Sequence, residues 1–191
     1  MPVTKSPEPT RIYQIKVTLK ESEPPIWRRI QVKGDITLYR LHRILQTVMG
    51  WEDCHLHEFL IARQCYGSPE EDAHGDGRTK SDRRYRLNQV APRAGVPFTY
   101  EYDFGDCWQH VLLVEKVLPP EDGVRYPRCL EGGQAAPPED VGGIWGYYTL
   151  LEHVRDPQCQ EHDTALDWVG SEFDPEAFDL AAANRELAGI K

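Results

Sequence analysis

The chain has 191 residues, of which 40% are hydrophobic, and this is enough for one folded domain with a substantial core. The formal net charge of −9 is unevenly spread: residues 1–50 hold nine Lys/Arg and four Asp/Glu, whereas residues 101–191 hold six and nineteen. An acidic C-terminal half repels a phosphate backbone, so nucleic-acid binding is disfavoured and would have to use the N-terminal part. No apolar run approaches the roughly 20 residues of a membrane span.

The N-terminus and the cysteines both indicate a cytoplasmic protein. The first residues are polar and rich in proline and do not resemble a signal peptide, so we expect a disordered tail (1–10) before a single domain (11–191). The five cysteines include no Cys-x-x-Cys pair. Their spacing excludes a zinc ribbon or finger and predicts free thiols in a reducing compartment.

Two N-terminal segments alternate apolar and polar side chains, which predicts β-strands over residues 13–19 and 26–32. In the second strand Arg28 and Arg29 point to opposite faces, and Arg28 shares its face with apolar neighbours. A buried arginine needs an anionic or polar partner. We expect a structural ion pair there, and an anion-binding site is the alternative.

The next segment predicts a helix over residues 38–49. Its apolar residues recur at helical spacing, Thr37 precedes them as an N-cap, and Gly50 follows as a stop. His42 is expected on the flank of the apolar stripe, as a structural residue and not as a ligand.

A His-x-His pair lies in a third strand-like segment, residues 55–61. On a strand, His55 and His57 would share one face about 7 Å apart, at roughly 3.3 Å per residue. Such a pair can bind a metal if further ligands come from elsewhere, for which Asp106 and His110 are candidates. The alternative is that these histidines only pack or form hydrogen bonds.

Residues 98–115 carry the strongest pattern, two alternating runs that predict a β-hairpin. Its turn is Asp103-Phe-Gly-Asp106, and Trp108 and His110 begin the second strand. The two aspartates and the imidazole could bind a metal or share protons, or they could cap the turn and pack. The Asp-Phe-Gly triplet is not a kinase signature, because no glycine-rich phosphate loop or strand lysine motif precedes it.

The rest of the chain predicts loops and then helices. Residues 65–86 indicate a long polar loop, and residues 126–143 are too rich in proline and glycine for a helix or a central strand. Within the second loop, Glu139 and Asp140 are expected to cap the next helix, although they could also supply ligand oxygens. Apolar stripes predict three C-terminal helices, over residues 147–154 and 165–169 and from Asp174-Pro175 to Leu187. Strands before helices indicate an α+β fold, a mostly antiparallel sheet with helices on one face and a helical C-terminal part.

Several stretches taken together resemble one protein family. They are Pro24-Pro-Ile-Trp-Arg-Arg29, Leu41-His42 through Gly50-Trp51 to His55-Leu-His57-Glu-Phe59, Tyr100-Glu-Tyr-Asp-Phe-Gly-Asp-Cys-Trp-Gln-His110, Pro137-Pro-Glu-Asp-Val-Gly-Gly143 and Phe173-Asp-Pro-Glu-Ala-Phe-Asp179. The combination is similar to the plasmid pRiA4b ORF-3-like family, over nearly the whole chain.

The resemblance implies a compact α+β domain associated with plasmids and transposons, without an established activity. Some relatives are described as resolvase-like, but this chain lacks a suitable nucleophilic serine and a helix-turn-helix pattern. Relatives often carry a second cysteine that would pair with the position of Cys129. At the position of that second cysteine this chain has Ala136, which argues against a thiolate metal site.

Three functions remain open from the sequence. The favoured one is a non-catalytic binding or adaptor domain for a protein or a small ligand, with no cofactor. The alternatives are a metal-assisted hydrolase that uses a His/Asp cluster with a divalent metal, and a nucleic-acid accessory protein. The residues predicted to bind the ligand or partner are Trp27, Arg28, Tyr102, Asp103, Asp106, Trp108, His110, Glu139 and Asp140, and the metal candidates are His55, His57, His110 and Asp106.

Overall fold

The computed structural model describes residues 10–71, 75, 77–170 and 172–190, and its main element is one eight-stranded sheet. The strand order is β5-β4-β3-β6-β7-β1-β2-β8, and every pair is antiparallel except β4 with β5. The strands are β1 (Ile12–Leu19), β2 (Trp27–Lys33), β3 (His57–Ile61), β4 (Gln64–Gly67), β5 (Lys80–Ser81), β6 (Pro97–Tyr102), β7 (Trp108–Leu118) and β8 (Arg128–Gly133).

Five α-helices accompany the sheet, and together they confirm the predicted α+β class. The helices are α1 (Leu38–Met49), α2 (Leu87–Val90), α3 (Gly143–Arg155), α4 (His162–Val169) and α5 (Leu180–Leu187). A one-turn 3₁₀ helix covers Pro69–Glu71. Within the described part of the chain, no helix has the length and apolarity that a membrane span requires.

The core lies on one face of the sheet, where the alternation of β6 and β7 places their large side chains inward. Cross-strand partners there are Tyr102 with Trp108, Tyr100 with His110, and Phe98 with Leu112, all of them buried. Aromatic pairs of this kind bury large areas and contribute additional ring–ring attraction. The predicted hairpin of residues 98–115 is therefore the centre of the core.

Helix α1 begins and ends where the sequence predicts. The Thr37 side chain accepts a hydrogen bond from the Arg40 N–H, and Gly50 adopts the left-handed conformation with φ of 74°. The expected position of His42 on the flank of the helix was wrong: its side chain is fully buried, one turn before the equally buried Gln46. The buried face of α1 thus contains two polar side chains that need partners.

Two predicted boundaries were also wrong. Part of the loop over residues 126–143 forms β8, which is tolerated because β8 lies at the edge of the sheet. The last helix begins after Asp179, whose side chain accepts from the Ala182 N–H, and Asp174 closes a separate turn. Just before this helix, Phe178 packs against Gly132 of β8 and the guanidinium of Arg28, a tertiary contact that the local sequence pattern does not reveal.

Some predictions fall partly or wholly on residues that the structure does not describe. Residues 1–9 of the predicted tail lie outside it, as do residues 72–74 and 76 of the predicted polar loop. The described parts of that loop include β4 and β5, so it is more ordered than its composition indicates. None of the five cysteines, all of which lie in the described residues, forms a disulfide.

Arg28 is buried on β2, and none of the described residues provides the carboxylate partner that was expected for it. Its Nε donates to the carbonyl of Val48 at 2.9 Å, and Nη1 donates to the carbonyls of Trp27 (2.8 Å) and Gly133 (2.9 Å). The guanidinium also lies 3.9 Å from the centre of the Phe178 ring. Backbone carbonyls and an aromatic face therefore replace the expected ion pair.

Candidate functional site

A polar cavity of about 310 Å³ opens beside the N-terminal end of β3. Pockets that bind small molecules measure roughly 300–1,000 Å³, so this cavity is at the small end of the range. The side chains around it come from four separate parts of the chain. They are Tyr39, Asp53, Cys54, His55, Leu56, His57, Ser68, Asp82 and Arg83.

A buried hydrogen-bond network lies beneath this lining and is centred on His42. Its Nδ1 is 2.8 Å from the hydroxyl of Tyr100, and its Nε2 is 2.6 Å from Oδ1 of Asp53. Gln46 Nε2 donates to the same Tyr100 hydroxyl, and Gln46 Oε1 accepts the Asp53 backbone N–H, which closes the network. With the hydroxyl oxygen accepting from Gln46, its proton is directed at His42 Nδ1, and His42 Nε2–H donates to Asp53.

The electrostatics of the network agree with a neutral imidazole beside an ionised carboxylate. Burial lowers the pKa of His42, although its hydrogen bond to Asp53 acts in the other direction. Burial alone would raise the pKa of Asp53, but the hydrogen bond from His42 and the nearby guanidinium of Arg43 outweigh it and lower that pKa. The pKa of Tyr100 is raised well above its ordinary value by burial, so its hydroxyl keeps its proton.

A second histidine–carboxylate pair lies directly on the first. The rings of His57 and His42 stack with centroids 3.5 Å apart and planes 5° apart, and His57 Nε2 is 3.0 Å from Oδ2 of Asp82. Each imidazole therefore has its own carboxylate, and Asp82 is nearly fully buried. Neither Asp53 nor Asp82 was predicted from the sequence, because both lie in loops that only the tertiary fold brings to the histidines.

Tyr102 connects the cavity rim to the loop before α3. Its hydroxyl donates to Glu139 Oε1 at 2.6 Å and accepts from the Cys54 N–H at 3.0 Å, while the Cys54 thiol donates to Glu139 Oε2 at 2.9 Å. Glu139 also accepts the Glu52 N–H. The hydrogen bond to Glu139 and burial raise the pKa of the Cys54 thiol. Glu139 thus connects the loop before β3 to the loop before α3. It does not cap α3, as had been expected.

Asp140 is also not a helix cap. Its Oδ1 lies 3.1 Å from His55 Nε2, and Asp103 Oδ2 approaches the same nitrogen at 3.7 Å from the other loop. Asp103 Oδ1 accepts the Gly105 N–H, as its position in the turn predicts. The neighbouring Asp106 lies apart from this group and accepts the Gly142 N–H at the start of α3.

The remaining predicted residues lie away from the cavity. His110 and Trp108 are buried in the core, and neither His110 ring nitrogen has a well-aligned hydrogen-bond partner among the described residues. Burial lowers the pKa of His110 to about 4. Trp27 lies on the opposite face of the sheet, with the Lys16 ammonium 5.0 Å from its ring centre.

The four metal candidates chosen from the sequence do not converge. His57 pairs with Asp82, His110 is buried in the core, and Asp106 anchors α3. His55 lies before β3 begins, so the expected His-x-His strand pair does not form. His55 meets Asp103 and Asp140 instead, two residues that the sequence analysis had assigned to ligand or partner binding.

Replacement of Tyr102 by phenylalanine tests how much the hydrogen bonds of its hydroxyl at the cavity rim contribute to stability. We expect Tyr102→Phe to lower the free energy of unfolding by about 1–2 kcal/mol, because the Cys54 N–H and Glu139 each lose a partner in a partly buried place. Chemical denaturation measures this loss. Tyr126→Phe is the control, because its hydroxyl accepts one exposed backbone N–H from Glu121 and its removal should have little effect. Equal losses in both variants would refute the role of Tyr102.

Fold and site together define an α+β domain with a buried Tyr–His–Asp network beneath a small polar cavity. The chain belongs to the family of plasmid pRiA4b ORF-3-like proteins, whose model matches residues 11–182, and this confirms the resemblance found in the sequence.

Two relatives cover almost the same length. The chain is 40% identical over 173 residues to "Uncharacterized protein y4hQ" of Sinorhizobium fredii, which covers 91% of this chain and 86% of the relative. It is also similar to the crystal structure of a protein of unknown function, MM3350, from Methanosarcina mazei Go1, with a TM-score of 0.81, 39% identity, and coverage of 91% of this chain and 97% of that one. Neither name states an activity.

Proposed function

We propose that this protein is a non-catalytic binding domain that holds a small polar ligand in the cavity beside β3. The observation that carries the proposal is the fixed base of the cavity, where His42 and His57 stack and each contacts its own carboxylate. Side chains held in one arrangement before binding lose little conformational freedom when a ligand arrives. Such preorganisation favours specific recognition of a small molecule.

The chemistry of the nearby hydroxyl and thiol groups supports binding over hydrolysis. Tyr100, His42 and Asp53 are connected like a catalytic triad, but the Tyr100 hydroxyl is fully buried and cannot reach a substrate. The Cys54 thiol has a raised pKa, which disfavours the reactive thiolate. The Ser68 hydroxyl donates to the solvent-exposed carboxylate of Glu70, and among the described residues it has no hydrogen bond to a histidine that could activate it as a nucleophile.

The lining indicates the class of ligand. The lining includes the carboxylates of Asp53 and Asp82 and also Arg83, whose guanidinium is stacked 3.6 Å from the centre of the Tyr39 ring. Carboxylates attract amines and hydroxyls, whereas a guanidinium attracts carboxylates and other anions. Small amino acids and amino alcohols combine these groups at a size that suits the cavity.

Ligand-observed NMR with a panel of amino acids, amino alcohols and polyols tests the proposal. Leu56→Trp places a bulky ring in the cavity lining, and Leu60→Trp is the matched control, because Leu60 is an equally exposed leucine outside the lining. We expect at least one compound to bind the natural protein and the Leu60 variant but not the Leu56 variant. The proposal fails if no compound binds, or if both variants bind equally well.

A further inference from the structure

We propose that His55, Asp103 and Asp140 form a binding site for one divalent transition-metal ion, with Zn²⁺ as the reference ion. The three side chains come from the segment before β3, the β6–β7 turn and the loop before α3. One donor atom from each lies within 4.8 Å of the other two. The site adjoins the ligand cavity through His55 but does not depend on a ligand there.

The spacing of the donor atoms suits a metal ion. His55 Nε2 is 3.1 Å from Asp140 Oδ1 and 3.7 Å from Asp103 Oδ2. Zinc binds imidazole nitrogen and carboxylate oxygen at 2.0–2.2 Å in tetrahedral geometry, which separates two ligand atoms by roughly 3.3–3.5 Å. The two observed distances lie on either side of this value.

The unsatisfied nitrogen of His55 is an independent observation. Its Nε2 is shielded from solvent and has no hydrogen-bond partner among the described residues, although Asp140 Oδ1 is only 3.1 Å away. The two groups are close but not aligned with each other, so the nitrogen is not directed at the carboxylate oxygen. A buried polar atom without a partner is costly, and a metal ion between the three donors would satisfy it.

Asp103 is held in place for this role. Its Oδ1 accepts the Gly105 N–H at 2.9 Å, which leaves Oδ2 on the side of His55. Asp103 and Asp140 both have left-handed backbone conformations, with φ of 55° and 58°. Asparagine accepts this conformation as readily as aspartate, so it can replace either residue without new backbone strain.

A second group of possible ligands shares His55 but is satisfied without a metal. In it, the Cys54 thiol already donates to Glu139, and Glu139 accepts from the Tyr102 hydroxyl. A metal ion there would have to replace both hydrogen bonds. The set with Asp103 and Asp140 carries no such cost at His55 Nε2, and its imidazole favours zinc over the all-oxygen ions Mg²⁺ and Ca²⁺.

Equilibrium dialysis against Zn²⁺, followed by elemental mass spectrometry, tests the site on the full chain without a histidine tag. We expect one zinc ion per chain, weakened by about tenfold or more in Asp103→Asn and in Asp140→Asn. Asp106→Asn is the matched control, because this neighbouring carboxylate bonds Gly142 and lies outside the group. It should bind zinc like the natural protein, and Mg²⁺ should not bind under the same conditions.

Two further measurements separate the outcomes. Circular dichroism and thermal melting of the apo forms show that each variant is folded, so a loss of zinc reports on the site itself. X-ray absorption of the zinc form should show only nitrogen and oxygen neighbours, and Cys54→Ser should leave the affinity unchanged. The proposal is overturned if the natural protein binds no stoichiometric zinc, if the Asn variants bind normally, or if a sulfur neighbour appears.

Discussion

Arg28→Lys should lower the free energy of unfolding by about 3 kcal/mol, since it loses charge-assisted hydrogen bonds worth roughly 1.5–3 kcal/mol each in a buried place. The guanidinium of Arg28 donates to three backbone carbonyls, one through Nε and two through Nη1, and it stacks on the ring of Phe178. A lysine ammonium is a single point of charge and cannot reproduce this planar arrangement. Urea denaturation at neutral pH measures the difference.

The protonation of the side chain adds to this expected loss. Burial lowers the pKa of Arg28 to about 10, so the arginine is still charged at neutral pH. A lysine in the same place starts from a lower pKa and is disfavoured as a cation by the same burial. It must therefore either lose its proton or remain charged with fewer partners.

The neighbouring arginine provides the control. Arg29 lies on the other face of β2, where it forms ion pairs with Glu115 and Glu131 at the surface. Arg29→Lys keeps a cation beside both carboxylates, and Arg29 is more exposed to solvent than Arg28, so its effect should be clearly smaller, at about 1 kcal/mol. Similar losses for the two substitutions would contradict the assignment of Arg28 as a structural cation of the core.

His110→Leu should remove a large part of the acid sensitivity of the fold. Burial lowers the pKa of His110 to about 4, below the ordinary histidine value of 6.5. Between these two pH values the unfolded chain binds a proton that the folded chain does not, so stability falls as the pH decreases. The full difference corresponds to about 3 kcal/mol, at roughly 1.4 kcal/mol per pH unit.

At neutral pH, His110→Leu should leave the free energy of unfolding unchanged or raise it. The ring nitrogens of His110 lack well-aligned hydrogen-bond partners among the described residues, so an apolar side chain of similar size removes unsatisfied polar atoms from the core. Unfolding free energies between pH 7 and 4 should therefore fall less steeply in His110→Leu. His153→Leu, on a partly exposed turn of α3, should keep the slope of the natural protein; an unchanged slope in His110→Leu would refute the prediction.

Features that depend on neighbouring residues were predictable from the sequence. The hairpin follows from alternating residues around the turn Asp103-Phe-Gly-Asp106, and α1 follows from its apolar stripe between Thr37 and Gly50. These signals are local, because strand alternation, capping and turn conformation involve residues only a few positions apart. They were sufficient for the α+β class, and the combined motifs were sufficient for the family.

The partners of the polar side chains were decided by the tertiary structure. Asp53 reaches His42 from a loop, Asp82 reaches His57 across 25 positions of sequence, and Asp140 meets His55 from the loop before α3. The polar residues in the apolar stripe of α1 were the one signal available for the buried network. A strand or helix pattern states which face a side chain occupies, whereas its hydrogen-bond partner depends on how distant loops pack, and no local spacing records that.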